Sequence, residues 1–238
     1  MPNPEGILIM AQFAADEGVD VSRHNGLIDW ERTRRMCRWL SFGMVRLGEW
    51  RPEGNEELQP YYGLADEAAD RNIFGLRRAG IVPGGYLRTN PTMNSPEKEA
   101  VEFVTRVHGF GVDKPGNLIP CVDMEDGTQQ WGPWLREFIT VYRELSPLYR
   151  LRIYSSGSKF NDLYGGVVDL ADMGGIQLVV ADWSAPAGQP RFNPTIAVIH
   201  QYSNGSTVPP VVYHPDGSLV QVDRQRVIKP HRLVEAMI

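Results

Sequence analysis

The sequence is poor in cysteine and lysine, lacks a basic balance, and contains no long apolar run. Its two cysteines, Cys37 and Cys121, cannot build a disulfide framework, and Cys121 lies inside a hydrophobic run that suits a buried reduced thiol. No stretch approaches the roughly 20 apolar residues of a membrane span. Net charge is −5, which removes the global basic footprint expected of a nucleic-acid binder. Lys98, Lys114, Lys159 and Lys229 are the only lysines among 24 basic residues, a skew that fits a GC-rich coding genome. Arg32, Arg34, Arg35 and Arg38 share one predicted helix and read as its solvated face.

The motifs of several enzyme classes are also missing. His24, His108, His200, His214 and His231 are scattered, without H-E-x-x-H or cysteine-rich ligand spacing, so no metal site is expected. There is no G-x-S-x-G, and Ser155-Ser156-Gly157-Ser158 is a poor substitute. Gly109-Phe110-Gly111 lacks the third glycine and the preceding strand of a dinucleotide loop, and no cofactor is expected. Asn204-Gly205-Ser206 fits a glycosylation tripeptide, a pattern common by chance.

What is present is a soluble composition, 42% hydrophobic and 22% charged, in a length that suits one barrel-sized domain. Residues 1–16 read as an N-terminal extension: Gly6 to Ala11 is apolar but has no basic flank, so no export signal is expected. Residues 17–238 form the domain. Strand and helix then alternate. Val19–Val21 is a strand, Asp29 caps a helix from Trp30 to about Leu40, and Phe42–Leu47 is a second strand. A helical region spans Leu58–Ala79, with Gly80 as its stop, before a third strand at Val82–Leu87. Ser95-Pro96-Glu97 starts a helix that ends near Gly109. Leu118–Met124 is the fourth strand and Leu151–Tyr154 the fifth, followed by helices at Pro133–Leu145 and Ser158–Leu163. Beyond these, Ile176–Ala181, Ala197–Gln201, Val211–Tyr213 and Leu219–Val222 are strand-like with no long helix between them. The pattern predicts an α/β fold, an irregular TIM-like β/α barrel with five βα units and helix-poor closing strands.

Chemistry in such barrels gathers at the C-terminal ends of the strands. Asp123-Met124-Glu125 ends the fourth strand, with two carboxylates on one face roughly 6.5–7 Å apart along the backbone. Neighbouring like charges resist simultaneous ionisation, so one of the pair is pushed up, as glycosidic cleavage requires of its proton donor. The plain alternative is a strand end carrying two solvated acids. Other predicted ends carry Asp20, Glu49, Arg88, Ser155, Asp182 with Trp183, Gln201 with Tyr202, and Asp223. Acids gathered with flat aromatic rings point to a carbohydrate cleft. Trp50, Tyr86, Trp183 and Tyr202 either stack on sugar or simply pack. Trp30 and Trp39 read as core; Trp131 and Trp134 either wall the cleft or pack beneath a helix.

The ordered motifs resemble glycoside hydrolase family 25, the Chalaropsis-type lysozymes common among bacteriophage endolysins. Gly18-Val19-Asp20-Val21-Ser22, then Gly26 and Ile28-Asp29-Trp30, is similar to the family's opening motif. Ser41–Arg46 with Glu49, Ala79–Tyr86, Val122–Glu125, Ile153–Ser156, His200–Ser203 and Val222-Asp223 follow in its order, over roughly residues 17–228. Arg23-His24-Asn25, Gly48-Glu49-Trp50 and Gln225 depart from it, around the cleft. The resemblance implies hydrolysis of the β-1,4 bond between N-acetylmuramic acid and N-acetylglucosamine in bacterial peptidoglycan. It implies Glu125 as general acid, Asp123 as its partner, and Asp20 and Asp223 as further acids of the catalytic centre. Glu49, Tyr86, Asp182, Trp183, Gln201 and Tyr202 are the expected substrate contacts. A monomer is expected, held in the cytoplasm of an infected host until lysis and then acting on the wall. The rival readings are another D-x-E retaining glycosidase of chitinase type, and a non-catalytic wall-binding barrel.

Overall fold

The computed structural model describes residues 17–49, 64–127, 131–164, 170, 172–206 and 212–238. The predicted extension, Trp50 and the start of the predicted Leu58–Ala79 helix lie outside them. Eight strands among the described residues close into a barrel. In chain order they are β1 (Glu17–Val21), β2 (Leu40–Glu49), β4 (Val82–Arg88), β5 (Cys121–Asp123), β6 (Leu151–Ser156), β7 (Ile176–Ala181), β8 (Ala197–Ser206) and β11 (Val222–Val227). Neighbours from β1 through β2 and β4 to β8 are parallel. β11 runs antiparallel to both β8 and β1 and closes the ring. β3 (Leu64–Ala65) pairs with the end of β2, and β9 (Val212–Tyr213) with β10 (Leu219–Val220) outside the barrel.

Five helices follow the parallel strands: α1 (Trp30–Met36), α2 (Ala69–Arg78), α3 (Pro96–Gly109), α4 (Trp131–Leu145) and α5 (Gly157–Tyr164). The Asp29 side chain accepts from Arg32 N at 2.8 Å and the Ser95 hydroxyl from Lys98 N at 3.4 Å, so both expected caps form. Apolar residues of the helices and of the outward-facing strand positions make one layer, with Phe103, Phe138, Leu135 and Tyr142 buried in it. A second, smaller core of Phe42, Met44, Leu118, Cys121, Val179, Val198 and Ile199 fills the barrel itself. Packing there is tight. A Cβ on Gly84 would come within 2.7 Å of Met44 and one on Gly85 within 2.7 Å of Leu47, so β4 has glycine on both faces.

The bottom of the barrel is closed by the 3-10 turn Leu233–Ala236 and the residues after it. Ile119 N donates to Ala236 O at 2.9 Å, Leu118 pairs with Met237, and Arg150 donates to Met237 O at 2.9 Å. That capping shortens the expected fourth strand: Ile119 N and Asn117 O bond to the plug, Leu118 N reaches Pro83 O of β4, and regular pairing is confined to Cys121–Asp123.

Other boundaries also differ from the sequence reading. The first helix stops at Met36, and Leu40 already belongs to β2, which runs on to Glu49. Leu64 and Ala65 form a strand, and the following helix waits until Ala69, because Asp66 turns the chain by accepting from Ala68 N at 2.9 Å. The expected strand Leu219–Val222 is two elements, β10 and β11, and the eighth barrel strand runs from Val222 onward. Asp223 is therefore at the N-terminal end of a reversed strand, not at the C-terminal end of a parallel one.

Candidate active site

A cavity of about 200 Å³ opens at the mouth of the barrel, above the interior core. Met44, Cys121 and Val179 form its floor, and Asp20, Asp123, Glu125 and Asp223 its walls, with Tyr86, Tyr154, Trp183, Gln201, Asn204 and Gln225 between them. Four carboxylates from three strands meet here for topological reasons. Asp123 and Glu125 leave the C-terminal end of β5. Asp20 lies near the end of β1, and the antiparallel register sets it directly opposite Asp223 of β11. Reversal of one strand brings an acid from the opposite strand polarity to the same end.

The Asp123–Glu125 segment is firmly held. Thr89 N and Oγ1 donate to Asp123 O at 2.9 and 3.0 Å, Met124 N donates to Tyr154 O at 2.9 Å, and Ser155 Oγ donates to Met124 O at 2.7 Å. Lys159 donates to the Glu125 carbonyl and lies over the Trp131 ring at 4.9 Å. With its backbone fixed, Glu125 still has a side chain 38% exposed, whereas Asp123 is 5% exposed and its Oδ1 is buried without a hydrogen-bond partner.

Burial dominates the electrostatics. It raises Asp123 well above the ordinary carboxylate range, with the nearby Glu125 charge adding to the effect and Arg88 opposing it. Asp20 is raised by burial and then by Asp223 across the strand pair, against a hydrogen bond from the Tyr86 hydroxyl. Asp223 is raised by burial, with Gly205 N opposing at 2.7 Å from Oδ1. Burial and the carboxylates likewise push up Tyr86 and Tyr154, whose hydroxyls stay protonated donors. The site can therefore store protons on buried acids while presenting one accessible carboxyl.

Two glutamines organise the far wall. Gln201 accepts from Tyr154 Oη at 2.8 Å and Trp183 Nε1 at 3.0 Å, and its amide donates to Asp223 at 3.4 Å. Gln225 donates to Asp20 at 3.3 Å. Gln225, one of the positions where the sequence departs from the family pattern, thus touches a central acid.

Of the ten expected site residues, Glu125, Asp123, Asp20, Asp223, Tyr86, Trp183 and Gln201 line the cavity. Glu49, Asp182 and Tyr202 do not, and each has a physical reason. Glu49 bonds Arg23 at 2.7 Å and Arg46 at 3.2 Å in a rim network that also includes Asp66. Asp182 is tied to Arg191, whose hydrogen bonds hold it well below the usual carboxylate range. Tyr202 is one step from Gln201 on β8 and so faces outward, donating to Glu17 at 2.6 Å beneath Arg224 and Arg226. Sequence reasoning did not select Tyr154, Asn204 or Gln225 as site residues. For Tyr154 and Gln225 the signal was available: Tyr154 lies two residues before the end of β6 and Gln225 two residues after Asp223, both on the inward face. Trp131 and Trp134 both belong to α4; Trp131 is fully buried and Trp134 stacks on Phe138 at 5.3 Å. Among the described residues no cluster of His, Cys, Asp or Glu is arranged to hold a metal ion, and no helix is long and apolar enough to cross a membrane.

Residues 19–211 match the model of a family described as glycosyl hydrolases family 25. No curated protein sequence matches the chain. Among solved structures, a bacterial lysozyme from Streptomyces coelicolor is similar, with TM-score 0.66 and 22% identity over 92% of this chain and 96% of that one. A family GH25 lysozyme from Aspergillus fumigatus gives TM-score 0.66 and 20% identity, covering 91% and 95% of the two chains. A spore cortex lytic enzyme from Clostridium perfringens gives TM-score 0.70 and 17% identity over 100% of this chain and 71% of that one. At these identities the structural likeness is one of fold.

Proposed function

The chain belongs to glycosyl hydrolases family 25, and from that premise we propose that it cleaves the β-1,4 bond between N-acetylmuramic acid and N-acetylglucosamine in peptidoglycan. The observation that carries the reading is the pairing of accessible Glu125 with buried Asp123 in a mouth that also holds Asp20 and Asp223. The similar structures, two lysozymes and a spore cortex lytic enzyme, support the choice of substrate.

In this mechanism Glu125 donates its proton to the leaving glycosidic oxygen, the one carboxyl of the four with wide access to the cavity. Asp123 faces the 2-acetamido group and orients it, so that the acetamide oxygen attacks the anomeric carbon in place of an enzyme nucleophile. Asp20 and Asp223 set the charge of the opposite wall, and the tyrosine hydroxyls of Tyr86 and Tyr154 supply neutral hydrogen bonds. Trp183, 53% exposed beside the cavity, offers a flat face for a sugar ring. The inverting alternative uses Asp20 or Asp223 to activate a water on the opposite face of the sugar.

Mass analysis of fragments from defined peptidoglycan tests the bond: muramic-acid reducing ends are expected, with no action on chitin. Proton NMR of the anomer released at early times tests the route. The substrate-assisted path passes through two inversions and gives the β-anomer; an α-product would rule it out. Service as an endolysin belongs to the same proposal, and its test is lysis of a host on expression with a membrane-permeabilising partner.

A further inference from the structure

Arg88 ends β4 in register with Asp123, which sets its guanidinium beside the accessible acid of the site. The guanidinium forks onto Asp126, with Nε to Oδ2 at 2.6 Å and Nη2 to Oδ1 at 2.9 Å. The same Nη2 reaches Glu125 Oε1 only at 3.4 Å, a longer contact from a nitrogen already engaged. Two-point recognition of one carboxylate is the strongest arrangement a guanidinium makes, so Asp126 holds the larger share of Arg88.

We propose that Asp126 is a positioning residue for the proposed general acid: it clamps Arg88 in a two-point ion pair and withholds that cation from Glu125. The inference rests on the reading of Glu125 as proton donor. A donor must exist in both protonation states during turnover. An arginine paired directly with it would lock it as the carboxylate, and no cation at all would leave that carboxylate without support after proton transfer. The shared Arg88 serves both states. Held back by Asp126 it tolerates the neutral acid, and at 3.4 Å it is close enough to support the anion.

The other charged or titratable groups facing Glu125 come from every neighbouring strand. They are Asp123 on its own segment, Asp20 from β1, Tyr154 from β6, and Lys159 of α5, whose amine is spent on the Glu125 carbonyl. Arg88 is thus the cation in contact with the Glu125 carboxyl among the described residues, and Asp126 the group that decides where it points.

The test is the pH dependence of kcat/KM on a soluble alternating N-acetylglucosamine–N-acetylmuramic acid oligosaccharide, with folding checked by circular dichroism. In Asp126→Asn the released Arg88 turns to Glu125, and the alkaline limb moves down by about one pH unit. In Arg88→Gln it moves up. The double variant returns towards wild type, and Asp126→Glu, which keeps the charge, restores the wild-type limb. An Asp126→Asn limb at the wild-type position, or an equal downward shift in the double variant, overturns the proposal. Should Asp126→Asn fail to fold, Arg88→Gln decides alone: an unmoved limb overturns it. Failure of the underlying reading has a separate signature, since Glu125→Gln would then keep wild-type turnover.

Discussion

The two sides of the barrel solve the same burial problem in opposite ways. From β2 round to β7 the outer strand faces are covered by helices, and that layer is apolar: within it Phe103 of α3 meets Phe138 and Tyr142 of α4 at 5.9 and 5.7 Å between ring centroids. Across β8, β11 and the start of β1 the cover is polar instead. There the outer face carries Glu17, Tyr202, Arg224 and Arg226, with guanidinium groups 4.8 and 5.7 Å from the Tyr202 ring and an ion pair from Arg226 to Glu17. Arginine stems and an aromatic ring shield the strands while their polar ends stay in water. The difference teaches why the reversed strand is found where it is. Parallel strands need a long crossover, which carries a helix as far as β7 and none between β7 and β8, whereas β11 returns beside β8 antiparallel and so delivers Asp223 to the mouth.

The comparison can be broken first at the chemistry. Glu125→Gln, on the helix-covered side, is expected to lower kcat by about 10³-fold or more with the fold intact, read as reducing-sugar release. Asp223→Asn, from the polar side, should cost about 10²-fold, because it removes a wall charge and not the proton donor. Equal losses would erase the distinction between the two sides.

Stability gives the next contrast. Phe138→Ala opens a cavity in the helix layer and should cost about 3–5 kcal/mol in denaturant unfolding. Tyr202→Phe removes only the hydroxyl that donates to Glu17 and should cost about 1–2 kcal/mol. A larger loss at Tyr202 would make the polar face as critical as the apolar one.

The smallest expected effect is a gain. Burial raises Asp123 in the folded protein above its value in the unfolded chain. As pH rises the unfolded chain therefore loses this proton first, and stability falls from the unfolded value, about 3.9, upward through the folded one. Asp123→Asn is exempt from that loss. Its Tm should exceed wild type at neutral pH by about 2–4 °C for each kcal/mol relieved, and the gain should vanish below about pH 4. A lower Tm for the variant at neutral pH would refute the assignment of strain to this acid.

The helix-covered half was the more legible in sequence. Its strands are short apolar runs punctuated by caps such as Asp29 and Ser95, and the D-x-E motif marks the end of one of them. Local signals and tertiary structure agree there. On the polar half, Val222 to Val227 gives no apolar stripe, because its inward face at the mouth carries Asp223 and Gln225 and its outward face Arg224 and Arg226. Strand direction was therefore unreadable even though Asp223 itself was marked. Asp182 and Tyr202 show a second limit. Proximity to a strand end is legible, but a single-residue step decides the face, and an ion-pair partner nine residues away, Arg191, decides where the carboxylate is spent. The Arg88–Asp126 clamp was hidden for the same reason, since its partners are 38 positions apart.

The antiparallel register of Asp20 with Asp223 has a kinetic consequence. The contact that joins these strands inside the mouth, Gln225 to Asp20, spans 205 positions of the chain. Loop-closure entropy disfavours so distant a pairing, so closure of the ring between β1 and β11 is expected late in folding. Until it happens Asp20 has the Tyr86 hydroxyl but not Gln225, and the mouth lacks Asp223. The proposed hydrolytic centre is thus complete only once the ring has closed.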